Sequence, residues 1–92
     1  MSYSFSVKGA NKTDVKRKVS VELAKVVASQ ECHAADAHVA QSAANGFIDA
    51  LADDPSKAVC VTATGSVMYT GYNDTLSIQQ AGTSMTAYLA SA

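Results

Sequence analysis

The hydrophobic residues of this chain change rhythm twice, and that change limits the folds open to it. Tyr3, Phe5 and Val7 alternate with serines, the period of a strand with one buried face. Val15, Val19, Leu23 and Val26 then recur every three or four residues, and Phe47, Ile48 and Leu51 close a second run of that kind. From Val59 to Leu89 the alternation returns. The pattern predicts an α+β domain of order β-α-α-β-β over residues 1–92. Its parts are a three-stranded antiparallel sheet and two helices, an αα-hairpin or one bent helix, packed on one face.

The first strand is expected over Ser2 to Lys8, with Gly9-Ala10 ending it. Asn11 suits an N-cap, and Asp14 stands where a carboxylate can meet free backbone N–H groups. The first helix should cover about Lys12 to Ser29, with Asp14–Lys18, Lys18–Glu22 and Glu22–Lys25 as surface pairs. Ser29 to His33 breaks the apolar rhythm, and a turn or kink is placed there. The second helix should reach about Asp53, with Val39, Ala43, Phe47, Ile48 and Leu51 inward, before Asp54-Pro55 stops it.

The second strand is expected from Ala58 to about Tyr69, and Thr70-Gly71-Tyr72-Asn73-Asp74 reads as a turn. In the third strand Leu76 and Ile78 share one parity, while Met85, Ala87 and Leu89 share the other. A β-bulge near Ala81-Gly82 would reconcile them. The other face of the sheet should carry Ser4, Ser6, Thr62, Thr64, Ser66, Ser77 and Gln79, a hydroxylic surface able to meet another copy.

Composition makes the core thin. The hydrophobic fraction is 48%, but much of it is alanine, there is no tryptophan, and aromatics make up 7%. Such a chain gains little buried area per residue, so self-association is expected to support it. No stretch approaches the roughly 20 apolar residues of a membrane span, and the N-terminus lacks the pattern of a signal peptide. A cytoplasmic or virion setting is therefore expected, with Cys32 and Cys60 reduced; a disulfide between them is the alternative.

The net charge of −1 conceals a dipole. The first 25 residues hold six cations and two carboxylates, and the remainder holds Lys57 against six carboxylates. These halves could meet within one subunit, between copies, or on a charged partner.

Candidate chemistry is sparse. Cys32, His33, Asp36 and His38 form the densest reactive cluster, but His33 and His38 lie about 140° apart around a helix and do not converge. No second cluster completes a metal set, so polar residues at a helix junction are the plainer reading, and no metal or cofactor is expected. Neither cysteine has an ordered base with oxyanion donors beside it, and no catalytic residue is assigned. Lys12, Lys16 and Arg17 could bind an anionic ligand near the helix start, although a solvated helix face explains them as well. Tyr69 and Tyr72, with Thr62 and Thr64, are interface candidates, set against ordinary half-buried packing.

The opening Tyr3-Ser4-Phe5-Ser6-Val7, the helix ending Leu23-Ala24-Lys25-Val26-Val27-Ala28-Ser29-Gln30, and His33-Ala34-Ala35-Asp36 before Phe47-Ile48-Asp49-Ala50-Leu51 follow in a familiar order. A hairpin built on Gly65-Ser66-Val67 and a final strand rich in Ser and Thr complete it. In that order of parts the chain resembles small uncharacterised proteins of tailed bacteriophages and prophages. The resemblance implies a phage-like origin and carries no activity or functional residues.

The leading expectation is a non-enzymatic accessory or structural protein that works through protein contacts as a homo-oligomer. A nucleotide-sequestering protein using the basic helix face is the alternative, and a nucleic-acid accessory protein a further one. The negative total charge counts against the last.

Overall fold

In the computed structural model the elements follow the order β1 (Ser2–Gly9), α1 (Lys12–Ala28), α2 (Ala34–Asp49), β2 (Lys57–Tyr72) and β3 (Thr75–Ser91). The structure describes residues 2–29, 34–72 and 75–92, without the side chains of residues 2 and 66–83. The turn or kink expected at Ser29–His33 falls mainly on residues 30–33, outside the described residues, as do Asn73 and Asp74.

The start of α1 is fixed by two reciprocal bonds. The Asn11 side chain accepts from the Asp14 N–H at 2.8 Å, and Asp14 Oδ2 accepts from the Ala10 N–H at 3.0 Å. The first bond satisfies one of the N–H groups that a helix start leaves open, and the second ties the residue before the cap to the first turn. Gly9 is needed just before this cap, because a Cβ there would lie 2.5 Å from the Val15 nitrogen and 2.8 Å from its Cα. The absent side chain lets β1 pass directly under α1.

All three strands are antiparallel, in the order β1-β2-β3. β1 pairs with β2 from Ser2↔Ser66 to Gly9↔Val59, and β2 pairs with β3 from Lys57↔Ser91 to Tyr72↔Thr75. Val59, Val61 and Tyr3 join Val15, Val19, Leu23, Val26, Ala37, Ala40, Ala44 and Ile48 in one core. Phe5, Val7, Met85, Ala87 and Leu89 pack against its margin. These strand residues all occupy odd positions, so both helices roof the same side of the sheet. Tyr3 and Phe5 stack with centroids 6.3 Å apart, and the Tyr3 ring lies where a Cβ on Gly65 would stand.

The structure departs from the sequence expectation in four places. First, α2 ends at Asp49, not near Asp53. The chain tightens there, with Ala50 N–H donating to Gly46 and Leu51 N–H to Ile48, both at 3.1 Å. Asp54 then accepts from the Ser56 N–H at 3.0 Å and its hydroxyl at 2.6 Å, building a turn around Pro55.

Second, α2 is rotated. Its buried residues are Ala37, Ala40, Ala44 and Ile48, while Ala43 is exposed and Val39 and Phe47 are 66% and 50% exposed. An alanine-rich helix carries methyl groups on every side, so its apolar periodicity does not fix which side faces the core.

Third, β2 runs to Tyr72 and β3 resumes at Thr75, so Thr70, Gly71 and Tyr72 are strand rather than turn. Fourth, the irregularity in pairing falls between Met68 and Tyr69, where Gln79 on β3 has no opposite number; Gly82 pairs regularly with Ser66. A bulge can form without a residue in the left-handed region, so glycine was a poor guide to its position.

Candidate functional site

The basic residues at the start of α1 are brought against the end of α2. Lys12 Nζ donates to the Leu51 carbonyl at 2.7 Å and the Asp49 carbonyl at 3.4 Å, and lies 3.0 Å from Asp53 Oδ1. One ammonium thus serves carbonyls left open at a helix C-terminus, where positive charge is also favoured by the helix dipole. Lys16 Nζ meets Asp49 Oδ1 at 2.7 Å. The cationic and anionic parts of the sequence therefore meet within a single subunit.

Arg17 and Lys18 converge on Asp14 instead. Arg17 Nη2 lies 2.9 Å from Asp14 Oδ1, and Lys18 Nζ lies 3.3 Å from Asp14 Oδ2. Lys18 also donates to the Lys8 carbonyl at 2.7 Å, which commits its ammonium towards β1 rather than Glu22. Glu22 pairs with Lys25 at 3.3 Å. The Ala10 N–H, followed by Arg17 and Lys18, holds the Asp14 carboxyl down from 3.8 to about 2, because all three favour the ionised form. The Ser56 hydroxyl and N–H likewise lower Asp54.

Lys12, Lys16 and Arg17 thus lie within two helical turns, each with a carboxylate partner already in place. An anion binding there would compete with Asp49, Asp53 and Asp14. Sequence spacing revealed the Asp14 contacts, but not those to Asp49 and Leu51, which lie far along the chain.

The outer face of the sheet is ordered by register. Ser4, Thr64 and Ser84 form one row across the strands, and Ser6, Thr62 and Thr86 form the next. Five of the six are exposed, with Thr62 half-buried, and together they line a shallow depression. The following row is Lys8, Cys60 and Tyr88, where Cys60 is a buried free thiol. Ser66, Ser77 and Gln79 belong to this face by sequence alternation, but their side chains lie outside the described residues.

On the opposite layer, Val39, Ala43 and Phe47 stand one helical turn apart and face away from the core. Tyr69 and Tyr72 occupy β2 positions opposite Ile78 and Thr75; their side chains lie outside the described residues. Asp36 is half-buried and His38 exposed on α2, while Cys32 and His33 lie outside the described residues. Among the described residues, no three His, Cys, Asp or Glu side chains come together as a metal site, and no helix is long and apolar enough to cross a membrane. No family model matches the chain, no curated protein matches it, and no solved structure matches its fold.

Proposed function

We propose that this is a non-enzymatic protein that acts by binding other protein surfaces, as a homo-oligomer, in an accessory or structural role of the phage type that its sequence resembles. The observation that carries the reading is the inversion on α2, which buries alanines and leaves Val39 and Phe47 in solvent. Large apolar side chains in a row on a helix are what a protein contact uses, whereas scattered single ones need no explanation. Support also comes from the uncharged hydroxylic rows of the sheet and from edges that have no paired strand among the described residues. Light scattering coupled to size exclusion tests the oligomer. Rising mass with concentration supports it, and a monomer at near-millimolar concentration overturns it.

The alternative of a nucleotide-binding protein would use Lys12, Lys16 and Arg17 after displacing their carboxylates. A thermal-shift screen against nucleotides separates the readings: stabilisation abolished in Lys16→Gln favours the ligand site. A nucleic-acid accessory role would require binding that weakens steeply as salt rises.

A further inference from the structure

Gly46 stands in the last turn of α2, at a position that does not ask for glycine. It is exposed, its backbone is helical, and a Cβ there would meet nothing within 4 Å. Glycine is the poorest helix former after proline, so it weakens this turn without serving the packing of the subunit. The residue before it is an asparagine. Of Asn11, Asn45 and Asn73, only Asn45 precedes a glycine. The backbone nitrogen that follows an asparagine can attack its side-chain amide and close a five-membered succinimide ring. A side chain on the attacking residue hinders the approach and stiffens the backbone, and glycine does neither.

The folded helix keeps these reactants apart in two ways. The Gly46 N–H donates along the helix to the carbonyl four residues back. Asn45 Oδ1 accepts from Gln41 Nε2 at 2.9 Å. Gln41 lies one turn towards the N-terminus, so this bond holds the amide away from the Gly46 nitrogen. Ring closure therefore needs the last turn to open. Three contacts resist that opening: the fully buried Ile48, the Lys16–Asp49 pair at 2.7 Å, and Lys12, which donates to the Asp49 and Leu51 carbonyls. All three lie beyond Gly46, which places the weak point between the body of the helix and its anchors.

We propose that Asn45 is a modification site, at which the chain deamidates itself at a rate set by opening of the last turn of α2 against the Lys12 and Lys16 contacts. In the opened state the Gly46 nitrogen gives its proton to hydroxide and bonds to Asn45 Cγ. The Cγ–Nδ2 bond breaks, and Nδ2 takes a proton from water and leaves as ammonia. Water then opens the ring. Cleavage between Cγ and the Gly46 nitrogen leaves aspartate, and cleavage between the residue 45 carbonyl carbon and that nitrogen leaves isoaspartate. The sum consumes one water and releases one ammonia, with no oxidant or reductant.

Either product hinders reclosure. A carboxylate at position 45 stands one turn before Asp49, near the negative end of the helix dipole. Isoaspartate adds a carbon to the backbone and breaks the helical register. The conversion is a one-way switch that loosens the tie between α1 and α2, and it needs no binding partner.

The test incubates the whole chain at mildly alkaline pH and maps amide loss by peptide mass spectrometry, with enzymatic methylation to count isoaspartate. Asn45 should convert slowly in the native chain and faster in guanidinium chloride. Lys12→Met should speed native conversion about five- to thirtyfold and leave the rate in denaturant unchanged. Lys16→Gln should act in the same direction by less, and it keeps the test decisive if Lys12→Met unfolds the whole chain. Gly46→Ala should suppress conversion in both conditions with unchanged far-ultraviolet circular dichroism. Native conversion as fast as in denaturant shows that the helix protects nothing and overturns the proposal. Equal native rates in the parent chain and both lysine variants overturn it too, as does an Asn45 that stays intact in every folded chain after the denatured sample has converted.

Discussion

α1 and α2 are of nearly equal length and roof the same sheet, yet they obey different rules. α1 buries Val15, Val19, Leu23 and Val26 at the spacing expected of an amphipathic helix, and leaves Val21 44% exposed. α2 buries Ala37, Ala40, Ala44 and Ile48, while Val39 and Phe47 point outward. The contrast shows that hydrophobic size does not by itself orient an alanine-rich helix. The inner face of α2 holds three alanines and one isoleucine, so the size of its side chains does not decide which side turns inward.

The sharpest way to break this comparison is to exchange the rules. Ile48 is fully buried, and Ile48→Ala should cost about 2–5 kcal/mol in urea unfolding. Phe47→Ala, although it removes a larger side chain, should leave folding within about 0.5 kcal/mol, because that ring is half-exposed. Equal losses would mean that Phe47 belongs to the core. Ala44→Leu should cost about 1–3 kcal/mol through overpacking, whereas Ala43→Leu one position earlier should be nearly neutral.

A smaller effect tests how the two helices are tied. Lys12→Met removes an ammonium that donates to the Leu51 and Asp49 carbonyls, and should cost about 1–2 kcal/mol while loosening the end of α2. Amide exchange at Ala50 and Leu51 should speed up more than exchange at Val19. Uniform acceleration would show that the lysine does not act on that helix end.

The smallest effect concerns the start of α1. Asp14 has its carboxyl held at about 2 in the folded chain, below its ordinary 3.8. A depressed carboxylate stabilises the fold fully above its unfolded value and loses that contribution as pH falls through the folded one. The stability gap between the parent chain and Asp14→Asn should therefore be constant above about pH 5 and shrink as pH falls towards 2. A gap that does not change over this window would remove Asp14 from the account of the cap.

The same contrast explains what the sequence made legible. The β-α-α-β-β order, the antiparallel sheet, the Asn11 cap and the inner face of α1 all follow from local periodicity and local hydrogen bonding. The inner face of α2 was not readable, because an alanine-rich helix carries apolar side chains on every side and the choice is made by its neighbours. Nor was the bulge at Gln79, since nothing in that residue demands an unpaired position. Lys12 and Lys16 were visible as a basic pair, but their partners Asp49, Leu51 and Asp53 come more than thirty residues later. Nothing local to Gly65 marked it as the place where the Tyr3 ring lies against the backbone.

The row that holds Cys60 gives the molecule a built-in reporter. Its sulfur is shielded on the face that the helices do not cover, between the neighbouring strand positions of Lys8 and Tyr88. A thiol reagent reaches it only when its covering side chains or an outer strand move aside. In a Cys32→Ser background, the labelling rate becomes a clock for local opening of that sheet face, readable without unfolding the rest of the protein.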